Sequence, residues 1–244
     1  MFNKRKIFSA FAALMLIVAA VPAFATSGGA DKKAKRATRG ISGAPLNLAI
    51  LVQDDLESRV GNEIDVTREF IRALPAGSRV MVGYLRNGSL QVRQEFTEDL
   101  EQAGRALRIP VGHVSAAPYN PYVEVIEALR HFEAEGKNRN AILLISDGLD
   151  VSRGFDSFST INSIDMERAV REAKRRNVAV YSFYAPSVGL TSYNRLAVSF
   201  GQSALNRISN ETGGRAFFQG TSFVSFNSYF ERLSRTLSRG DGAY

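Results

Sequence analysis

The sequence predicts an α/β fold: a doubly wound, mostly parallel six-stranded sheet with one antiparallel edge strand and helices on both faces. Apolar runs of strand length alternate along the chain with segments of helical periodicity, which is the order typical of a parallel sheet. The run 141–145 is apolar throughout and stops at Ser-Asp-Gly, as a buried parallel strand does at a polar edge. An Asn-Gly pair at 87–88, between two strand-like runs, predicts the one hairpin.

The individual elements follow from local patterns in chain order. Strands are predicted where apolar residues run together or alternate with polar ones, at 46–52, 78–85, 90–96, 141–145, 178–184 and 215–218. Helices are predicted where apolar residues recur every three or four positions, at 60–74, from 97 onward, and at 120–135, 166–176, 196–211 and 222–238. Residues 151–165 are polar and aromatic without such a period and predict an exposed loop. The folded domain is expected to span 46–244.

Residues 1–25 have the three parts of a secretory signal peptide. Basic residues at 4–6 are followed by an apolar stretch at 7–21, and Ala-Phe-Ala at 23–25 is a cleavage site of small residues. The apolar stretch is short for a membrane span and no later stretch is long enough, so no transmembrane span is expected after cleavage. An uncleaved N-terminal anchor is the alternative. We therefore expect an exported protein, periplasmic or extracellular.

Residues 26–45 have the composition of a flexible basic linker. They hold five basic residues and one acid, and they lack the apolar content that folding needs. Of the formal charge of +7, this segment carries +4 and the signal peptide +3, so residues 46–244 sum to zero. A neutral folded domain argues against nucleic acid as a partner. The linker is either a solvated spacer or a contact with anionic lipid or cell wall.

The residue types present exclude several functional classes. The chain has no Cys, which excludes disulfides, thiolate zinc sites, haem attachment through Cys and thiol nucleophiles. Its two histidines are His113 and His131, so a serine triad would need one of them. No G-x-S-x-G motif and no phosphate-binding glycine loop is present. The sequence therefore does not favour an enzyme.

Acidic residues follow two of the predicted strands directly. Asp54 and Asp55 come after the strand 46–52, and Asp147 comes after the strand 141–145. Ligands of open α/β sheets bind outside the carboxyl ends of the strands, and clustered carboxylates suit Mg²⁺ or Ca²⁺. The alternative is that these acids only cap the helices that follow.

The same segments resemble the von Willebrand factor type A domain, in the branch found in secreted bacterial proteins. The resemblance covers 46–238, and it rests on five segments: the strand that ends at Asp54, the strand 77–84, the Leu-Leu-Ile-Ser-Asp-Gly-Leu-Asp segment at 143–150, the strand 178–183, and Glu-Thr-Gly-Gly-Arg-Ala-Phe-Phe at 211–218. It implies a doubly wound sheet with a metal-ion-dependent adhesion site at the carboxyl ends of the strands.

In that family the site consists of Asp-x-Ser-x-Ser after the first strand, a Thr from a later loop and an Asp after the fourth strand. Carried over to this chain, Asp54 matches the first Asp, Ser58 the second Ser and Asp147 the final Asp. Leu56 stands at the first Ser and Tyr119 at the Thr, so one oxygen ligand is lost and another is weakened. The resemblance thus implies a degenerate site that binds Mg²⁺ or Ca²⁺ weakly, or a relic that binds no cation.

Further oxygen donors lie near these positions in the sequence. The candidate helpers are Asp55, Glu57, Tyr119 and Asp150. Successive residues of an extended segment face opposite ways, so Asp55 is expected to point away from Asp54.

The leading functional hypothesis is a non-enzymatic domain that binds a protein partner at the carboxyl end of its sheet. The loop 154–159 supports it, because Phe155 and Phe158 would be exposed aromatic residues unless they pack into the core. One alternative is a Mg²⁺-dependent hydrolase or phosphotransferase that uses the strand-end aspartates. Another is a structural module of an envelope assembly with no ligand face.

Overall fold

Strand β1 (Leu46–Gln53) lies in the middle of a six-stranded sheet in the computed structural model, which describes residues 43–133, 138–155, 163–218 and 225–239. The strand order is β3-β2-β1-β4-β5-β6. All neighbouring strands are parallel except β2 and β3, which form the antiparallel edge. The predicted sheet is therefore confirmed. The other strands are β2 (Arg79–Arg86), β3 (Ser89–Thr97), β4 (Arg139–Ser146), β5 (Val178–Tyr184) and β6 (Ala216–Phe217).

Helices cover both faces of the sheet, because the strands alternate their apolar side chains between two cores. In β1, Leu48 and Ile50 belong to one buried cluster, whereas Ala49 and Leu51 belong to the other. The first cluster packs against α1 (Ile64–Arg72), α2 (Leu100–Ala106) and α6 (Phe226–Arg239). The second packs against α3 (Pro121–Leu129), α4 (Ile164–Arg175) and α5 (Arg195–Glu211).

Several helix boundaries differ from the predicted ones because a capping side chain sets them. Asp99, rather than Thr97, caps α2 by accepting a hydrogen bond from the backbone N–H of Gln102. Ser163 caps α4 in the same way, so this helix begins inside the segment 151–165 that was predicted as a loop. The predicted helix at 60–74 begins as a 3-10 helix (Ser58–Glu63) and becomes α-helical at Ile64.

Some predictions concern residues that the structure does not describe. The signal peptide (1–25), nearly all of the basic linker (26–45) and Phe158 lie outside the described residues. Phe155 is described, and its half-buried ring lies against Phe200 with 6.1 Å between ring centroids. Within the described ranges, no helix combines the length and apolar character that crossing a bilayer requires.

Two glycines let α5 lie directly on the end of β4. Gly148, at φ +75°, contacts the backbone of Gly201 in α5. A Cβ at Gly201 would overlap the carbonyl oxygen of Asp147, and a Cβ at Gly148 would overlap the carbonyl oxygen of Gly201. The last residues of β4 and the second turn of α5 therefore behave as one packed unit.

This close approach predicts a clear cost for a single methyl group. We expect Gly201→Ala to lower the free energy of unfolding by about 2 kcal/mol, because the overlap must push α5 off the sheet. Alanine otherwise stabilises the middle of a helix by about 0.5–1 kcal/mol. Gly104→Ala in α2 is the matched control, since its Cβ would meet nothing nearer than the Arg68 side chain at 3.7 Å. Urea unfolding of both variants measures the difference, and stabilisation by both would refute the packing argument.

Candidate functional site

The carboxyl ends of β1 and β4 place five polar side chains in the protein interior. Each of them is at most 4% exposed: Gln53, Asp54, Asp55, Ser146 and Asp147. Buried carboxylates are costly unless they are paired or hydrogen-bonded, so the partners of each one indicate its role. The side chains of Gln53 and Asp55 lie on one side and that of Asp54 lies on the other, so the five residues fall into two separate groups.

Asp54 belongs to an internal ion pair. Its carboxylate accepts two hydrogen bonds from the guanidinium group of Arg108, with N–O distances of 2.6 and 2.8 Å. The backbone N–H of Val111 donates to the same carboxylate at 3.0 Å, and Arg86 lies at 3.4 Å. Such bidentate pairs are among the strong interactions of proteins. The oxygens of Asp54 are therefore committed to holding the chain that follows α2.

Tyr84 fixes the other side of Arg108. The guanidinium carbon lies 4.0 Å from the centroid of the Tyr84 ring, a stacked cation–π contact. The Tyr84 hydroxyl donates to the carbonyl oxygen of Arg108 at 2.6 Å and accepts from its backbone N–H at 2.7 Å. The hydrogen bonds to Asp54 raise the pKa of Arg108 further. Segment 107–120, which joins α2 to α3, is thus anchored to the ends of β1 and β2.

Asp55 and Asp147 form the second group. Gln53 links them, because its amide nitrogen donates to Asp55 at 2.8 Å while its amide oxygen accepts from the backbone N–H of Asp147 at 3.2 Å. The same oxygen accepts from Ser146 Oγ at 2.5 Å. Asp55 thus points away from Asp54, as alternation predicted, and it is the acid of β1 that shares a site with Asp147.

The loop after β5 covers this group from one side. Thr191 Oγ1 donates to Asp147 at 3.3 Å, and Thr191 also contacts Ser187 Oγ at 3.1 Å. The backbone N–H of Val188 donates to the carbonyl oxygen of Asp55 at 2.9 Å. Neither Ser187 nor Thr191 belongs to a sequence motif, and only the fold shows that they lie here.

The two carboxyl groups retain protons more strongly than exposed acids do. Burial, and then the nearby charge of Asp147, raises the pKa of Asp55 to about 7. Burial also raises the pKa of Asp147, although hydrogen bonds from Ser187, Leu149 and Thr191 oppose it. Close acids with raised pKa values are typical of functional sites, where a cation or a basic group completes the charge balance.

The remaining candidates lie in different surroundings. Leu56 is fully buried in the core that α1 lines, so it faces away from Asp147, and a Ser there would not supply the missing ligand. Ser58 is exposed at the start of the 3-10 helix, and Glu57 is half-buried. Tyr119 is 53% exposed with φ +63°. Asp150 accepts hydrogen bonds from Ser152 and from Ser163, which is the N-cap of α4.

The backbone is similar to those of several solved structures. BatB from Bacteroides thetaiotaomicron has a TM-score of 0.52 at 15% identity, and the match covers 80% of this chain and 98% of that chain. The human COPII-coat protein Sec24c has a TM-score of 0.51 at 12% identity, and the match spans one third (33%) of that chain. The SpRpn10 VWA domain is also matched, at 13% identity with a TM-score of 0.47 and coverage of 78% of this chain and 95% of that one. No family model and no curated protein sequence matches the chain.

The chain has the doubly wound α/β fold that the resemblance to the von Willebrand factor type A (VWA) domain implies, and we call its folded part the VWA-like domain. The expectation drawn from the resemblance is therefore confirmed for the architecture. Identities of 12–15% concern the fold alone, so function must be argued from the residues of this chain.

In this VWA-like domain, the predicted ligands Asp54 and Ser58 are poorly placed to bind a cation together with Asp147, whereas Asp55 is well placed. Both carboxylate oxygens of Asp54 accept hydrogen bonds from Arg108, and Ser58 is exposed. Asp55, Asp147 and the hydroxyl of Thr191 offer the oxygen chemistry that Mg²⁺ and Ca²⁺ prefer. Among the described residues, no three acidic or histidine side chains converge, so water would supply most of the coordination shell. Asp55 and Asp147 are the residues that would hold such an ion.

Exposed apolar side chains surround this end of the VWA-like domain. Of the described residues, the eight large hydrophobic ones that are exposed all lie in loops at the carboxyl ends of the strands or in the first turn of the following helix. We call this surface the carboxyl face. Its apolar residues are Ile109, Val111, Val114, Tyr119, Val123, Ile164, Tyr193 and Leu196.

Proposed function

We propose that this protein is an exported, non-enzymatic interaction module that binds a partner protein on the carboxyl face of its VWA-like domain. The observation that carries the proposal is that, among the residues the structure describes, the exposed large apolar side chains are confined to that face. Scattered single apolar residues are ordinary on protein surfaces, whereas their concentration on one face marks an interaction site. Export rests on the sequence of residues 1–25.

The anatomy of the face matches a protein interface better than a small-molecule cleft. Tyr193 and Leu196 are 75% and 63% exposed and lie beside the loop that covers Asp147. Tyr119 lies on the anchored segment 107–120. Its backbone carbonyl oxygen accepts a hydrogen bond from the backbone N–H of Val151. Aromatic and aliphatic anchors on a fixed backbone lose little conformational entropy on binding. The acids between them would receive a basic group of the partner, or a cation that bridges the two proteins.

The hydrolase alternative loses its proposed first ligand. It required Asp54, Asp55 and Asp147 to hold a catalytic metal together, whereas Asp54 is bound by Arg108 and faces the other side of the sheet end. The absence of enzymatic activity stays a prediction.

A photo-activatable residue placed at Tyr119 tests the proposal in the producing cell. We expect it to form an adduct with one envelope protein, and the adduct to fall at least about fivefold when Tyr193 and Leu196 are changed to Ser, because hot-spot contacts lie in one patch. The control position is Glu98, which is exposed at the opposite edge of the sheet. Equal adducts from both positions, or an adduct that ignores the double substitution, would contradict a binding site on the carboxyl face.

Any divalent cation is expected to bind weakly, with a dissociation constant of roughly 10⁻⁴ M or above, because the site offers two carboxylates and a hydroxyl to an ion that takes six or more oxygens. Calorimetry with Mg²⁺, Ca²⁺ and Mn²⁺ measures it. We expect Asp55→Asn to abolish the signal and Tyr119→Thr to leave it unchanged. A site that survives Asp55→Asn but is lost with Ser58→Ala would restore the ligand set predicted from the sequence.

A further inference from the structure

A groove lined with arginines lies between α3 and α4, away from the carboxyl face. Its volume is about 450 Å³. The lining consists of Ile126, Arg130, Arg168, Arg171, Glu172, Arg175 and Arg176. Five guanidinium groups around one small volume repel one another, which costs free energy wherever neither a neighbouring acid nor an outside anion neutralises them.

The acids near the groove neutralise only part of this charge. Glu172 accepts hydrogen bonds from both Arg175 and Arg176, at 2.7 and 2.5 Å, and these bonds lower its pKa. Arg171 reaches Glu167 only at 3.9 Å, with both side chains largely exposed, which is worth little. Arg130 is exposed and forms no ion pair with any residue in the described ranges. Arg168 pairs with Asp165 at 3.0 Å, so two guanidinium groups, those of Arg130 and Arg171, remain available to an outside anion.

The position of the groove adds a second argument. Helices α3 and α4 start at the carboxyl face and run to the opposite end of the sheet, where Arg130 and Arg176 cap them. We call this end the amino edge, because β1 begins there, with Leu46 paired to Arg139. The basic linker enters β1 at the same edge and carries five further positive charges in sequence. The groove and the point at which the basic sequence joins β1 thus share the amino edge.

We propose that the α3–α4 groove binds phosphate groups of an anionic phospholipid surface, so that the amino edge rests on a membrane and the carboxyl face points away from it. Guanidinium groups match phosphate oxygens through paired hydrogen bonds. The linker charges extend the contact beyond one small anion, which favours a surface over a free phosphate compound. The inference is independent of which partner the carboxyl face binds.

Vesicle co-sedimentation of the chain without residues 1–25 tests this proposal. We expect binding to phosphatidylcholine vesicles that contain about 30 mol% phosphatidylglycerol, no binding to phosphatidylcholine alone, and release when salt rises from roughly 50 to 300 mM. Arg130→Gln with Arg171→Gln should raise the lipid concentration for half-binding by about tenfold or more.

The control is Arg59→Gln with Arg195→Gln, which removes the same charge from exposed positions near the carboxyl face. We expect this variant to bind within about twofold of the parent, because its charges lie on the wrong side of the domain. Equal losses in the two variants would mean that total charge, not the groove, governs binding. Failure of the parent to bind the anionic vesicles, or binding of inorganic pyrophosphate in its place, would overturn the membrane proposal.

Discussion

Replacing Arg108 by Met is expected to lower the free energy of unfolding by about 3 kcal/mol or more. The substitution keeps an unbranched apolar stem but leaves the fully buried carboxylate of Asp54 without its main counter-ion. Removing one partner of a buried pair costs about 3–5 kcal/mol, because the remaining charge stays desolvated. Chemical denaturation at neutral pH measures the change. Arg105→Met, three residues earlier and exposed, should change stability by less than about 0.5 kcal/mol.

A double-mutant cycle distinguishes the ion pair from a cation ligand at Asp54. If Asp54 and Arg108 stabilise each other, Asp54→Asn in the Arg108→Met background should recover part of the lost stability, because no charge then remains buried. Asp54→Asn alone should lower stability and leave weak cation binding intact. Additive losses of stability in the double variant, or loss of the calorimetric signal of cation binding with Asp54→Asn, would show that Asp54 is a cation ligand.

Between pH 7 and pH 9 the protein is expected to lose stability, and Glu124→Gln should remove most of that loss. Glu124 lies on α3 with no exposed surface and without a hydrogen bond to either carboxyl oxygen among the described residues. Burial raises its pKa to about 9, although backbone N–H groups of the β2–β3 hairpin, at Arg86, Gly88 and Ser89, lie close enough to favour the charged form. The folded protein therefore holds this proton up to about pH 9.

The direction of the effect follows from proton counts. Between the ordinary pKa of a glutamate and about 9, the unfolded chain has lost a proton that the folded chain keeps, so stability falls as pH rises and levels off above about 9. The slope approaches 1.4 kcal/mol per pH unit. Between pH 7 and pH 9 we expect the parent to lose roughly 2 kcal/mol of stability that Glu124→Gln retains, measured by urea unfolding across the pH range.

Glu127→Gln is the matched control, since Glu127 lies one turn later on the same helix and its carboxylate accepts a hydrogen bond from the backbone N–H of Leu90. The amide oxygen of Gln keeps that bond, so the parent's loss of stability should remain, moved to somewhat lower pH because the charge of Glu127 also raises the pKa of Glu124. A flat parent profile between pH 7 and pH 9, or the same change in both variants, would show that Glu124 is ionised in the folded state.

The fold could be predicted because burial on two faces leaves a strong local signal. The run that became β4 is apolar without interruption, and Asn87-Gly88 at the tip of the antiparallel edge has both residues at positive φ, as such a hairpin turn requires. Helix starts were less well placed, because Ser163 and Asp99 act as caps only once the chain around them is fixed.

The acids of the candidate site all lie at the predicted edge of the sheet, and the structure shows which of them share a group. Two acids follow β1 in sequence, and a shift of one residue decides which of them faces Asp147. The motif spacing carried over from Asp54 falls on side chains that face away, whereas Gln53 and Asp55 face inward. Arg108 is 54 residues from Asp54 in sequence, and the two side chains meet only in the tertiary fold, so no local sequence pattern predicts the ion pair.

The Asp54–Arg108 pair also bears on the conditions in which the protein works. Arginine stays protonated throughout the physiological pH range, so the positive charge beside Asp54 is part of the chain. Unlike a bound cation, it cannot dissociate, be removed by a chelator or be exchanged for another ion. Segment 107–120, with four of the apolar residues of the carboxyl face, is therefore held in place whatever the calcium or magnesium content of the surroundings. For the exported protein that we propose, whose surroundings would set the ion concentrations, this keeps the proposed binding surface permanently assembled.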